Sequence, residues 1–256
     1  MKKILILYFS GVGATKRVAE IMHSRISLSC NADILSVESK DIPAIQDYDA
    51  LIIGTPVYHA APAKVLMYYL DTLPRLSKKA PVFIYSTRGL CSLNTHRIMA
   101  KKLQTKNIIT VMDRVYRSPG SDGTLFIPFV KRFFEFEKDI DRKINQDCSD
   151  FLRLLDGGQM KGYIPKFRLG SIINAPNKAA GLLITVKIHL HKNKCIKCGL
   201  CIKKCPHKSF RADKNGYPVL DSKKCDNCYR CVHNCPNASL SLSKRRTPKK
   251  QLKYYS

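Results

Sequence analysis

Apolar and polar positions change rhythm several times along this 256-residue chain, and each change marks an element. Ile4–Phe9 is a nearly continuous apolar run, the pattern of a parallel strand buried on both faces. Thr15–Ile26 then sets Val18, Ile21, Met22 and Ile26 at helical spacing. Further strand-like runs cover Ala32–Val37, Ala50–Gly54, Pro81–Ser86 and Ile108–Met112, with helix-like stretches at Ala63–Thr72 and Leu93–Leu103 between them. From about Val130 to Leu155, Phe133, Phe136, Ile140, Ile144, Cys148, Phe151 and Leu155 recur every three or four residues, which predicts an amphipathic closing helix. Strands alternating with helices imply parallel βαβ units and an α/β fold built on an open, doubly wound sheet of five strands.

Asp156-Gly-Gly breaks this pattern. The expected division is a sheet domain over residues 1–157, a connector over 158–190, a cysteine module over 191–243 and a basic tail over 244–256. The connector holds Pro165, Pro176 and a short apolar run at Gly181–Val186. No run approaches the roughly 20 apolar residues of a membrane helix. The opening MKKILILYF has too short an apolar core for a signal peptide and no small-residue cleavage site, so it reads as a first strand and the chain as cytoplasmic.

Composition is ordinary at 45% apolar and 25% charged, but the net charge of +26 is not. Residues 191–256 hold 17 Lys/Arg against three Asp. Such a surface attracts an acidic protein, nucleic acid or an anionic membrane face.

Eight of the eleven cysteines fall in two runs, CIKCGLCIKKCP at 195–206 and CDNCYRCVHNCP at 225–236. Clustered Cys-x-x-Cys spacing in a reducing compartment points to metal rather than disulfides. Each run is C-x₂-C-x₂-C-x₃-C-P, and the fourth cysteine of each run ligates the cluster of the other. That predicts one [4Fe–4S] cluster on Cys195, Cys198, Cys201 and Cys235, and a second on Cys225, Cys228, Cys231 and Cys205. Gly199 permits close backbone approach to the first cluster, while Tyr229 stands at the repeat counterpart. Structural zinc is the bland alternative, but it has no use for a third cysteine followed by x₃-C-P. The module is similar to the bacterial two-cluster ferredoxins, a small α+β fold.

The first strand runs directly into Ser10-Gly-Val-Gly-Ala-Thr15 and a helix, an arrangement that offers backbone N–H groups to a phosphate. It is neither a P-loop nor G-x-G-x-x-G. The loop resembles the phosphate loop of flavodoxins, with Ser10, Gly13 and Thr15 in frame and Val12 where a hydroxyl is usual. Gly54-Thr55-Pro56-Val57-Tyr58-His59 resembles the family's loop against the isoalloxazine, with Tyr58 as the stacking residue, and Thr87-Arg88-Gly89 matches the second flavin loop, with Arg88 where an aromatic is often found. The resemblance implies bound FMN on Ser10, Gly11, Val12, Gly13, Ala14, Thr15, Thr55–Tyr58 and Thr87–Gly89. Together the two halves resemble fused flavodoxin–ferredoxin proteins over essentially the whole chain.

The fusion implies an electron-transfer protein that relays electrons between two [4Fe–4S] clusters, FMN and a redox partner protein, acidic to match the basic surface. The alternatives are a flavin-dependent reductase of a small molecule and, ranked below both, a nucleic-acid binder with structural clusters. His59 beside Tyr58 is a further candidate to hydrogen-bond the flavin. His189, His191, His207 and His233 read as surface residues, Cys148 as a core thiol, and the tail as a solvated end.

Overall fold

The computed structural model describes residues 1–121, 135–158, 160–170, 188–248 and 251–252. Five parallel strands, β1 (Lys3–Tyr8), β2 (Asn31–Ser36), β3 (Ala50–Tyr58), β5 (Ala80–Arg88) and β6 (Ile108–Arg117), lie in the order β2-β1-β3-β5-β6. A two-residue strand, β4 (Ala61–Pro62), folds back antiparallel on β3. Alternation in β1 explains why its apolar run is unbroken. Ile4 and Ile6 enter a core under α1 (Ala14–Ile26) and α4 (Ile140–Asp156), while Leu5 and Leu7 enter one under α2 (Lys64–Thr72) and α3 (Thr95–Thr105). The sheet is therefore covered on both faces, the doubly wound α/β arrangement its pattern predicts.

Several expected boundaries move. The closing helix starts at Ile140 rather than near Val130; Phe136 still packs on the core from the irregular chain before it, and Phe133 lies outside the described residues. β3 runs on to Tyr58 and β6 to Arg117, well past Gly54 and Met112. Charged residues in β6 hide its length from a hydrophobic pattern. Each finds a partner: Asp113 takes the His96 ring at 2.7 Å, and Asp147 on α4 accepts from Arg114 Nε at 2.7 Å and from Tyr116 at 2.8 Å.

Beyond the sheet, the stretch 160–168 runs beside β6, where Tyr163 donates to Thr110 O at 2.9 Å and Arg97 to Pro165 O at 3.0 Å. The connector's Pro176 and Gly181–Val186 lie outside the described residues. The cysteine module has two short helices, α5 (Leu200–Lys203) and α6 (Arg230–His233), and two antiparallel strand pairs. One pair joins β7 (His189–Leu190) to β10 (Leu240–Ser241), the other β8 (Phe210–Ala212) to β9 (Pro218–Leu220).

Candidate functional site

Loops at the carboxyl ends of β1, β3, β5 and β6 converge on one cleft, where ligands bind in doubly wound sheets. It is lined by Ser10, Gly11, Val12, Ala14 and Thr15, by Pro56, Val57 and Tyr58, by Thr87, Arg88 and Gly89, and by Ser118–Ser121. Ala14 and Thr15 open α1, whose first turn has neither a side-chain cap nor an acidic residue. Its leading N–H groups and the positive end of its dipole are thus left to an anion in the cleft. Gly13 turns the chain into the helix at φ 98°, and its N–H donates to Ser10 Oγ at 3.0 Å. The Thr15 and Thr87 hydroxyls share a buried hydrogen bond of 2.7 Å that ties the first and third loops together. Tyr58 crosses to the first loop so closely that a Cβ on Gly11 would sit 2.0 Å from its hydroxyl; only glycine allows this approach. Uncapped helix N–H groups and a glycine cradle at the mouth of the cleft fit the phosphate of a phosphorylated flavin.

Of the expected flavin residues, Thr55 does other work, and Arg88 also braces its own loop. Thr55 is fully buried and does not line the cleft; its hydroxyl accepts from Ala63 N–H at 3.1 Å and donates to Pro56 O at 3.0 Å, fixing the β3–β4 turn. Arg88 lines the cleft but donates to Leu90 O of its own loop. Behind that loop, Ser86, His96 and Asp113 line up at 2.8 and 2.7 Å in the order of an acyl-transfer triad. Ser86 is fully buried, so no substrate carbonyl reaches it, and the row braces the end of β5 instead. Burial alone would raise the Asp113 carboxyl; hydrogen bonds from His96 and Tyr163 outweigh it and hold the group below its usual range.

The eight module cysteines gather in two sets of four. Cys195, Cys198, Cys201 and Cys235 line one cavity of about 410 Å³. Burial raises the Cys201 thiol to about 11, and Cys235 and Cys198 are the thiols whose charges add to it. Burial likewise pushes Cys228 up to about 12 and Cys231 well above its ordinary value, and here the contributing thiols include Cys225 and Cys205. Each fourth cysteine therefore stands with the other run. Backbone N–H groups point at the sulfurs, from Ser209 to Cys205 at 3.3 Å, Asn227 to Cys225 at 3.4 Å and Ser239 to Cys235 at 3.2 Å. Among the described residues no three His, Cys, Asp or Glu side chains close around a single-ion site.

The second set lies against the cleft. A Cβ on Gly11 would be 3.6 Å from Cys228 Cβ. Arg230 uses all five of its donors here: Nε to Gly11 O at 3.0 Å, Nη2 to Ser10 O at 2.8 Å, Nη1 to Lys204 O at 3.2 Å, and both terminal nitrogens to the Glu38 carboxylate at 2.7 and 2.6 Å. Asp226 accepts from Lys64 N–H at 3.1 Å, and the His233 ring bonds Ser121 O at 2.8 Å.

The family model for a flavodoxin domain matches residues 5–117, and that for a 4Fe-4S dicluster domain matches residues 194–240. The chain is a fused flavodoxin–ferredoxin protein. It is 31% identical to an uncharacterised protein of Methanocaldococcus jannaschii over 41% of this chain and 67% of that one. It is 39% identical to pyruvate synthase subunit PorD of Pyrococcus horikoshii over 23% of this chain and 50% of that subunit. Among solved structures, an archaeal flavodoxin aligns with 60% of this chain and 99% of its own at 13% identity and a TM-score of 0.45. The domains present give the fused protein an electron-transfer role, with a flavin in the front half and iron–sulfur in the back.

Sequence reasoning missed the fourth cleft loop, Ser118–Ser121, because it ended β6 too early; the small residues Ser-Pro-Gly-Ser after a strand were the available signal. It also missed Arg230, Glu38 and Asp226, which no local pattern marks. Two histidines read as surface residues are not. His233 is fully buried, with Nε2 donating to Ser121 O and Nδ1 accepting Leu252 N–H at 3.0 Å, and the His207 side chain is 9% exposed, 3.6 Å from Asp226. Nor is the described end of the basic tail solvated throughout, since Gln251 donates to Val232 O and Cys235 O and Leu252 is buried. Cys148 is the core thiol expected, raised by burial to about 12. No helix among the described residues is long and apolar enough to cross a membrane.

Proposed function

We propose that this fused flavodoxin–ferredoxin protein is a cytoplasmic electron relay holding FMN and two [4Fe–4S] clusters in one chain. Cys195, Cys198, Cys201 and Cys235 hold cluster I; Cys225, Cys228, Cys231 and Cys205 hold cluster II. The loops from Ser10, Pro56, Thr87 and Ser118 hold the flavin. When bound, the clusters supply one-electron steps and the flavin supplies exchange between one-electron and paired-electron traffic. The chain's own residues fix the path. Arg230 clamps the second cysteine run to the phosphate loop, Tyr58 and Gly11 set the wall between them, and Asp226 and His233 anchor the flanks.

The approach of Cys228 to Gly11 is the observation that carries the proposal: a thiol of the second run stands beside the loop proposed to hold the flavin phosphate. An acidic redox protein suits the +26 surface as the external partner. The test is anaerobic purification followed by acid release and quantification of both cofactors. About one flavin with about eight irons per chain is the expected result. Eight irons with no flavin after reconstitution with FMN reduces the front half to a docking domain on a ferredoxin.

A further inference from the structure

The two cysteine runs are the same backbone used twice. Leu240 pairs with Leu190 in one strand pair and Phe210 with Leu220 in the other, and a shift of 30 residues turns each pair into its counterpart. Left-handed positions match across the runs as well, with φ of 55° and 51° at Lys197 and Asn227, and 49° and 48° at Lys208 and Ala238. Equivalent positions therefore project equivalently from the two clusters' nests. On the second run Asp226, Arg230 and His233 all reach the flavodoxin half. Their counterparts on the first run are Ile196, Leu200 and Lys203, and among the described residues none of the three bonds to the flavodoxin half.

We propose that the face around Ile196, Leu200 and Lys203 is the port at which a separate acidic one-electron carrier protein docks; the proposal rests on the relay reading. Cys198 is exposed at its centre, and Ile196 is 60% exposed beside it. A small apolar spot inside a charged rim is the anatomy of a protein–protein contact. The rim is basic: residues 188–220 carry eight Lys/Arg and one acid, Asp213. That acid caps its own turn through Asn215 and Tyr217 N–H. A carrier with an acidic collar is steered to this surface and brought over the exposed thiol. The second cluster's equivalent face is already taken by the protein's own flavin domain, so the port is at the first.

The test uses holoprotein and reduced plant-type [2Fe–2S] ferredoxin as the acidic carrier, reading its Kd by calorimetry and the reduction rate by stopped flow at two ionic strengths. Lys197→Glu/Lys203→Glu is expected to weaken binding and slow reduction about tenfold and to flatten the salt dependence, with iron content unchanged. Ile196→Ser is expected to raise Kd without altering the salt slope. Lys78→Glu/Lys79→Glu, at the amino-terminal end of the sheet, makes the same change in net charge and is expected to leave carrier binding intact. Equal losses in both charge-reversal proteins, or none in either, overturn the port. So does a port variant that loses affinity for duplex RNA or phosphatidylserine vesicles but not for the carrier. Reduced methyl viologen needs no docking and tests the relay apart from the port. With it the port variants must still reduce their flavin at the wild-type rate, and flavin that stays oxidised beside reduced clusters sinks the relay whatever the docking result.

Discussion

The two halves of this protein are held together by different means. The flavodoxin half has apolar layers on both faces of its sheet, with strands such as Leu5–Leu7 and Val82–Tyr85 wholly buried. In the ferredoxin half, the described buried apolar cluster consists of Phe210, Tyr229, Val232 and Leu240, with cysteines packed around it. A core that small does not order a segment of this length by itself. The first half has the burial to fold on its own core, while on the proposed reading the second depends on its clusters and on its dock against the first. The proposed division of function follows the same line, with single-electron steps assigned to the half whose order rests on iron.

Removing iron is the harshest challenge to this contrast. Chelation of the reduced protein is expected to abolish amide-exchange protection across residues 191–243 and to leave that of β1, β3 and β5 standing. Uniform loss in both halves would erase the distinction. Next come the ligands. Cys228→Ala is expected to lose about half the iron and to cut cluster-driven flavin reduction by orders of magnitude. Cys198→Ala loses a similar amount of iron yet keeps flavin reduction by a small reductant, because the second nest still abuts the cleft.

The clamp gives a smaller effect. Arg230→Leu, which copies the first run's Leu200, strands Glu38 and two loop carbonyls and is expected to cost about 3 kcal/mol in urea unfolding. The reverse change, Leu200→Arg, sits on a face without that dock and is expected to stay within about 0.5 kcal/mol. If the two costs are equal, the dock is not what separates the runs.

The smallest effect is a reference within the flavodoxin half. Asp113 has a folded pKa below its unfolded value, so its contribution to stability is present above the usual carboxylate range and is lost as pH falls through the folded pKa. Asp113→Asn is expected to flatten the acid limb of the unfolding curve and to leave iron content unchanged. An unaltered acid limb would mean that the His96–Asp113 pair contributes nothing.

How legible each part was follows from where its information lies. Ile4–Leu7 in β1 and Val82–Tyr85 in β5 are unbroken apolar runs because both faces are covered, and eight cysteines at fixed spacing state their chemistry locally. The ends of β3 and β6 were not legible, since Thr55–Tyr58 and Asp113–Arg117 mix polar residues into the strand and the partners that satisfy them come from elsewhere in the fold. The dock was least legible of all. Arg230 and Glu38 are 192 residues apart, and an arginine after a cysteine looks like one more charge on a basic surface until the loop carbonyls of Ser10 and Gly11 are seen to face it. Tyr229, read in the sequence only as the counterpart of Gly199, is buried in a left-handed position on the side of the second run that the flavodoxin half covers.

The most direct test of the relay is the rate at which flavin is reduced after a brief pulse of a one-electron reductant has loaded the clusters. A relay within one molecule gives a first-order rate that does not change with protein concentration, because the proposed cluster II and flavin sites flank Gly11 of the same chain. A rate that rises in proportion to protein concentration would mean that electrons pass between molecules, and the approach of Cys228 to the phosphate loop would then carry no current.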